Sequence, residues 1–193
     1  MIATIPNVRV EYLLKIETKH NKQHKMVEFK AKVGDHEILR KKLSALGAQQ
    51  LGIFQQTDLY FKVPEGRLKL REVEGNRTAE LIYYERENIS GPKIDDTFIL
   101  RIQEPEELKN ILNKILTPLK RIEKIREIYQ LQGIQIHLDT VKNLGKFVEL
   151  ERQTSDDPKT AEKDRLILEI LIAKLEIDPI NFVSLSYSDL PWT

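Results

Sequence analysis

At 193 residues, 40% of them hydrophobic and 32% charged, the chain is long enough for one domain with a substantial core. A formal net charge of +1 gives no electrostatic case for a nucleic-acid or membrane partner, and the absence of cysteine excludes disulfides, thiolate metal sites and a cysteine nucleophile. No apolar run approaches the roughly 18 residues of a membrane span, and the N-terminus has no continuous apolar signal core, so a cytoplasmic protein is expected.

Residues 1–25 differ from the remainder. Val8, Val10 and Tyr12 alternate with polar residues, and His20 to Lys25 reads as a polar linker, so 1–25 is expected to be an appendage and 26–193 the domain. A first strand is expected over 26–33. Asp35 then reads as the N-cap of a helix with the stripe Ile38, Leu39, Lys42, Leu43 and Leu46, stopped by Gly47. Strands follow near 50–62, 67–74, 78–86 and 94–103, and the turns at Pro64-Glu65-Gly66 and Glu74-Gly75-Asn76 make a meander of three of them. Pro105 opens a second helix with Leu108, Ile111, Leu112, Ile115 and Leu116 on one face. Strands near 119–131, 134–141 and 146–153 precede a third helix, which runs from Asp157-Pro158 to Leu175 on a face of Leu168, Leu171, Ile172 and Leu175.

Side chains two apart share a face of a strand, and here charges recur at that spacing. Glu28, Lys30 and Lys32 oppose Phe29, Ala31 and Val33; Lys69 and Arg71 oppose Leu68 and Leu70. Glu80 shares parity with Arg86, and Lys124 with Arg126; Gln135, His137 and Asp139 oppose Ile136 and Leu138, and Glu149 and Glu151 oppose Val148 and Leu150. Charged faces on single strands commonly look at water. Three amphipathic helices, however, need an apolar surface to cover. If they cover the apolar strand faces, the sheet closes with its charges inside. The expected fold is therefore α+β, mainly β: a closed eight-stranded antiparallel barrel with the helices packed outside. Buried cations need a neutralising anion. The carboxylates among them either pair with the cations or hold a metal, and a triphosphate with Mg²⁺ or Mn²⁺ satisfies both sets.

Met26-Val27-Glu28-Phe29-Lys30-Ala31-Lys32 resembles the Glu-x-Glu-x-Lys signature of the CYTH superfamily, the triphosphate tunnel metalloenzymes, with Met26 standing where the first Glu belongs. Similarity to the class IV adenylyl-cyclase-like branch continues through Gln56 to Phe61, Gly66 to Glu72, Ala79 to Arg86, Gly91-Pro92-Lys93, Ile136 to Asp139, Leu144 to Glu151 and Ser186 to Leu190. The resemblance implies an eight-stranded tunnel that binds triphosphates with Mg²⁺ or Mn²⁺. It implies metal ligands at Glu28, Glu149 and Glu151, phosphate contacts from Lys30, Lys32, Lys69, Arg71, Arg86, Lys124 and Arg126, and catalytic roles for Lys30 and Asp139, the latter as a ligand or water-positioning carboxylate. Gln135 stands where the branch often has Arg. His137 reads as a hydrogen-bonded interior residue, with general base or ligand as alternatives; Tyr60, Tyr83 and Tyr84 read as packing residues, with base contact as the alternative. Lys93 is balanced between a solvated loop and the tunnel mouth. Three functions are open: an adenylyl cyclase, a triphosphatase of the thiamine-triphosphatase kind, and a non-catalytic triphosphate or polyphosphate binder. The partner in each is a nucleoside or other triphosphate, with a homodimer left open as the assembly.

Overall fold

The computed structural model describes residues 23–86 and 88–192, apart from the side chains of Gln23 and Arg86. Among these, eight strands close into an antiparallel barrel: β1 (Gln23–Val33), β2 (Gln49–Phe61), β3 (Arg67–Val73), β4 (Ala79–Arg86), β5 (Lys93–Ile102), β6 (Pro118–Leu131), β7 (Ile134–Val141) and β8 (Gly145–Gln153). Their order around the barrel is β1-β5-β4-β3-β2-β6-β7-β8, and β8 pairs back onto β1. Three helices, α1 (Glu37–Ala45), α2 (Pro105–Ile115) and α3 (Pro158–Leu175), complete the described elements, with a short 3-10 turn at Pro179–Asn181.

The apolar strand faces point outward, under the helices. Val27, Phe29 and Ala31 of β1, Ile136 and Leu138 of β7, and Val148 and Leu150 of β8 are fully buried against Leu39 and Leu43 of α1 and Leu168, Leu171, Ile172 and Leu175 of α3. Leu112, with Leu108 and Leu116, covers Phe61, Leu70 and Ala79 on the opposite wall. Burial of one such side chain is worth roughly 1.5–3 kcal/mol. Covering the outside therefore obliges the charged faces to turn inward. A third cluster of Tyr60, Ile122, Val141, Leu144, Phe147 and Tyr187, with Val183 and Leu190 against it, carries the C-terminal segment. That segment is tied to β1 by a hydrogen bond from Val183 N–H to Lys30 O (2.9 Å).

Several local expectations change. β1 begins at Gln23, so Gln23, His24 and Lys25 are not linker but pair with Phe98, Thr97 and Asp96 of β5; residues 1–22 of the expected appendage lie outside the described residues. Asp35 does not cap α1. It accepts from the His36 N–H and pairs with Lys146 at 2.8 Å, while His36, 1% exposed and bonded through Nε2 to Phe147 O, takes the N-cap position. The predicted stripes are also narrower than their sequences: Ile38, Ile111 and Ile115 are exposed, because α1 and α2 each lie on a single barrel wall. Gly47, at φ +76°, ends α1 as expected, and Asp157 caps α3 by accepting from Thr160 N–H.

Candidate functional site

The inward faces build one cavity, lined among others by Glu28, Lys30, Lys69, Arg71, Lys124, Arg126, Glu149 and Glu151. Register explains the convergence. Lys30 lies opposite Glu149 and Glu28 opposite Glu151 across β1 and β8, Arg126 opposite Asp139 across β6 and β7, and Arg71 opposite Asp58 across β2 and β3.

The cavity has two electrostatic sectors. In the basic one, Asp58 is fully buried and binds three cations at once: Arg71 through two hydrogen bonds (2.7 and 2.9 Å), Lys124 at 2.9 Å and Lys69 at 3.1 Å. Burial opposes ionisation of Asp58, yet the charges of Arg71, Lys124 and Lys69 outweigh it and hold the carboxyl well below its usual range. Lys124 takes the opposite shift. Burial, reinforced by Arg71, Arg126 and Lys69, pushes its ammonium down to about 7 although Asp58 resists. Even with Lys124 readily deprotonated, Arg71 and Lys69 outnumber the one carboxylate and leave this sector electropositive.

The acidic sector gathers Glu28, Glu149, Glu151 and Asp139 around Lys30 and Arg126. Lys30 Nζ is 2.9 Å from Glu149 and 3.7 Å from Glu28, and lies 4.4 Å from the centre of the Tyr187 ring. Arg126 donates to both oxygens of Asp139 and to Glu149. Burial would raise the Glu149 carboxyl, but Lys30 and Arg126 hold it well below its usual range. Asp139, wholly buried, also accepts from Tyr187 O–H (2.9 Å). Its oxygens are thus committed to orienting Arg126. His137, 2% exposed, has Nδ1 3.6 Å from Glu149 Oε2 and 3.5 Å from Glu151 Oε1, and the ligand atoms of these three residues lie within 4.8 Å of one another. The spacing and the hard oxygens fit a divalent cation.

One expected residue falls elsewhere, and the side chain of another is not described. Lys32 has the right parity but is exposed at the end of β1 and does not line the cavity. Arg86 ends β4, and its side chain lies outside the described residues. Lys93 is not a solvated loop residue; it begins β5, is 2% exposed and donates to Ser184 O at 3.2 Å. Tyr60 and Tyr84 line the cavity, whereas Tyr83 faces outward and bonds Glu85. Sequence reasoning gave no role to Asp58 or to Ser186 and Tyr187, which enter the cavity from the C-terminal segment. Asp58 shares a strand face with Tyr60 and Gln56, a parity that could have found it.

The CYTH domain family matches residues 24–184. The chain belongs to that family. Among curated relatives, "Putative adenylate cyclase MJ0240" of Methanocaldococcus jannaschii is 30% identical over 180 residues, covering 85% of this chain and 97% of that protein. The fold recurs in the PH1012 protein of Pyrococcus horikoshii OT3, with TM-score 0.75 and 22% identity over 86% of this chain and 98% of that one. It recurs again in the Hippeastrum protein HpAC1, described as a putative adenylyl cyclase with a dominant triphosphatase activity, at TM-score 0.60 and 16% identity over 86% of this chain and 92% of that one. Among the described residues no helix is long and apolar enough to cross a membrane.

Proposed function

We propose that this CYTH protein is a divalent-metal-dependent enzyme acting on a triphosphate, with conversion of ATP to cyclic AMP and pyrophosphate as its leading reaction. The observation that carries the reading is the division of one cavity into a basic sector around Asp58 and an acidic sector around Glu149. A triphosphate bound together with a divalent cation has the complementary division. Lys69, Arg71 and Lys124 grip phosphate oxygens, Arg by paired donors and Lys as point charges, and Lys30 and Arg126 carry the phosphates toward the acidic sector. Lys32, exposed at the end of β1, would add charge only at the rim. Glu28, Glu149 and Glu151 hold Mg²⁺ or Mn²⁺, which when bound supplies charge neutralisation of the phosphate oxygens. Asp139 acts by fixing Arg126.

In the cyclase reaction the ribose 3′-oxygen bonds to the α-phosphorus, the bond to the bridging oxygen breaks, pyrophosphate leaves and the hydroxyl proton passes to base. The cavity's own apolar section supports a nucleoside: Met26, Ile82 and Ile99 line it beside the Tyr84 ring. The name borne by the M. jannaschii relative points the same way. A triphosphatase is the second reading, because the basic sector can hold three phosphates without any nucleoside contact. Chromatographic product analysis with ATP, thiamine triphosphate and tripolyphosphate, each with Mg²⁺ or Mn²⁺, separates the two. Cyclic AMP supports the cyclase; orthophosphate without cyclic AMP supports hydrolysis; no product with any substrate leaves a binder.

A further inference from the structure

His137 is buried, yet its Nδ1 has no hydrogen-bond partner among the described residues. Its other nitrogen is committed: Nε2 lies 2.9 Å from the Gln135 amide oxygen. An amide oxygen only accepts, so Nε2 carries a proton, and in the neutral ring Nδ1 presents a lone pair. That lone pair faces Oε2 of Glu149 at 3.6 Å and Oε1 of Glu151 at 3.5 Å. Three electron-rich atoms turned toward one another repel unless a positive charge sits between them.

The separations fit a metal ion better than a proton. Both exceed ordinary hydrogen-bond lengths. Donors about 2.1 Å from a first-row cation in tetrahedral array stand about 3.4 Å apart. β7 and β8 fix the arrangement, since His137 and Glu149 are direct cross-strand partners and Glu151 follows on the same face of β8. Across β1, the residue two before Glu28 is Met26, whose thioether offers no hard oxygen.

We infer that His137 is a metal ligand in its own right, forming with Glu149 and Glu151 a nitrogen-containing site that selects Mn²⁺, Co²⁺ or Zn²⁺ over Mg²⁺. The inference rests on the metal-dependent reading above and deepens it. Imidazole favours first-row transition metals, whereas Mg²⁺ prefers an all-oxygen octahedron. Gln135 is the positioning residue: by accepting from Nε2–H it holds the ring's tautomer, the outer-shell role that metal-bound histidines generally need. Arg126 beside Glu149 opposes the ion, so a bound polyphosphate that draws Arg126's charge tightens the site.

The test measures binding rather than turnover. Purified protein is titrated with Mn²⁺, Co²⁺ and Mg²⁺, with and without tripolyphosphate, by calorimetry, and the Mn²⁺ complex is examined by pulsed electron paramagnetic resonance for coupling to ¹⁴N. The wild type should bind Mn²⁺ and Co²⁺ at least about 10-fold more tightly than Mg²⁺ and show the nitrogen coupling. His137→Gln should lose the coupling and most of that preference, with Mg²⁺ affinity nearly unchanged. Gln135→Leu should retain the coupling but weaken Co²⁺ about 10- to 100-fold. Urea unfolding of each variant checks that it folds, and His137→Asn replaces His137→Gln if it does not. Mn²⁺ bound without nitrogen coupling, with His137→Gln matching wild type while Glu149→Gln loses the ion, overturns the inference and leaves the metal-dependent function standing. Absence of any divalent binding, even with tripolyphosphate present, overturns both.

Discussion

Replacing Asp58 by Asn keeps the side chain's size and removes the charge that Arg71, Lys69 and Lys124 share. In the ligand-free protein Arg71, Lys124 and Lys69 all lie within 3.1 Å of this carboxylate. The variant leaves them facing one another, with an amide that directs two N–H donors into an already positive site. Removing one partner of a buried ion-pair network costs about 3–5 kcal/mol. For a chain of this size that lowers the melting temperature by roughly 6–20 °C, at about 2–4 °C per kcal/mol. Tripolyphosphate supplies the missing negative charge, so Asp58→Asn should regain most of the loss and gain more degrees from the ligand than the wild type does. Scanning fluorimetry in metal-free buffer, with tripolyphosphate and with orthophosphate, reads both effects. A variant that melts within about 2 °C of wild type, or that gains less from tripolyphosphate, would refute the idea that Asp58 is an internal stand-in for phosphate.

Lys124, pushed down to about 7 in the empty cavity, should regain its proton when a triphosphate binds; calorimetry near pH 8 in buffers of different ionisation enthalpy should report uptake of about one proton, absent in Lys124→Met. Between pH 7 and 10.5 the unfolded chain binds this proton and the native one does not, so the group makes the ligand-free protein more stable as pH rises through that window, a slope that Lys124→Met should remove. Glu149→Gln should abolish turnover while metal-free tripolyphosphate binding survives, whereas Arg126→Ala should weaken that binding and, by stranding Asp139, cost about 3–5 kcal/mol in urea unfolding. Leu168→Ala, at a fully buried contact between α3 and the barrel wall, should cost about 2–5 kcal/mol by the same method without changing tripolyphosphate affinity.

The barrel was legible because its strands repeat one pattern, charge on one face and aliphatic residues on the other, and because three helices needed somewhere to pack. Parity carried Glu28, Lys30, Lys69, Arg71, Lys124, Arg126, Glu149 and Glu151 to a common cavity. The same parity could not tell Lys30 from Lys32, since whether an inward residue is buried depends on how far the strand runs beyond the barrel's rim. Nor could it tell which charges neutralise which. The cations of β3 and β6 looked like a set awaiting an external anion, and Asp58 on β2 proved to sit among them, because the neighbours across β2 are fixed by strand order rather than by local sequence. The start of α1 was misplaced for a related reason. Asp35 has the chemistry of a cap, but its partner is Lys146 on β8, distant in sequence.

Titration calorimetry with tripolyphosphate, pyrophosphate and orthophosphate, in metal-free buffer at moderate salt, tests most directly whether this cavity is a triphosphate site. The sector of Lys69, Arg71 and Lys124, continued by Lys30 and Arg126, predicts affinity that climbs steeply with each added phosphate, and a loss of that climb in Arg71→Ala. Equal affinity for all three anions, or an Arg71→Ala variant that binds tripolyphosphate as the wild type does, would contradict the account.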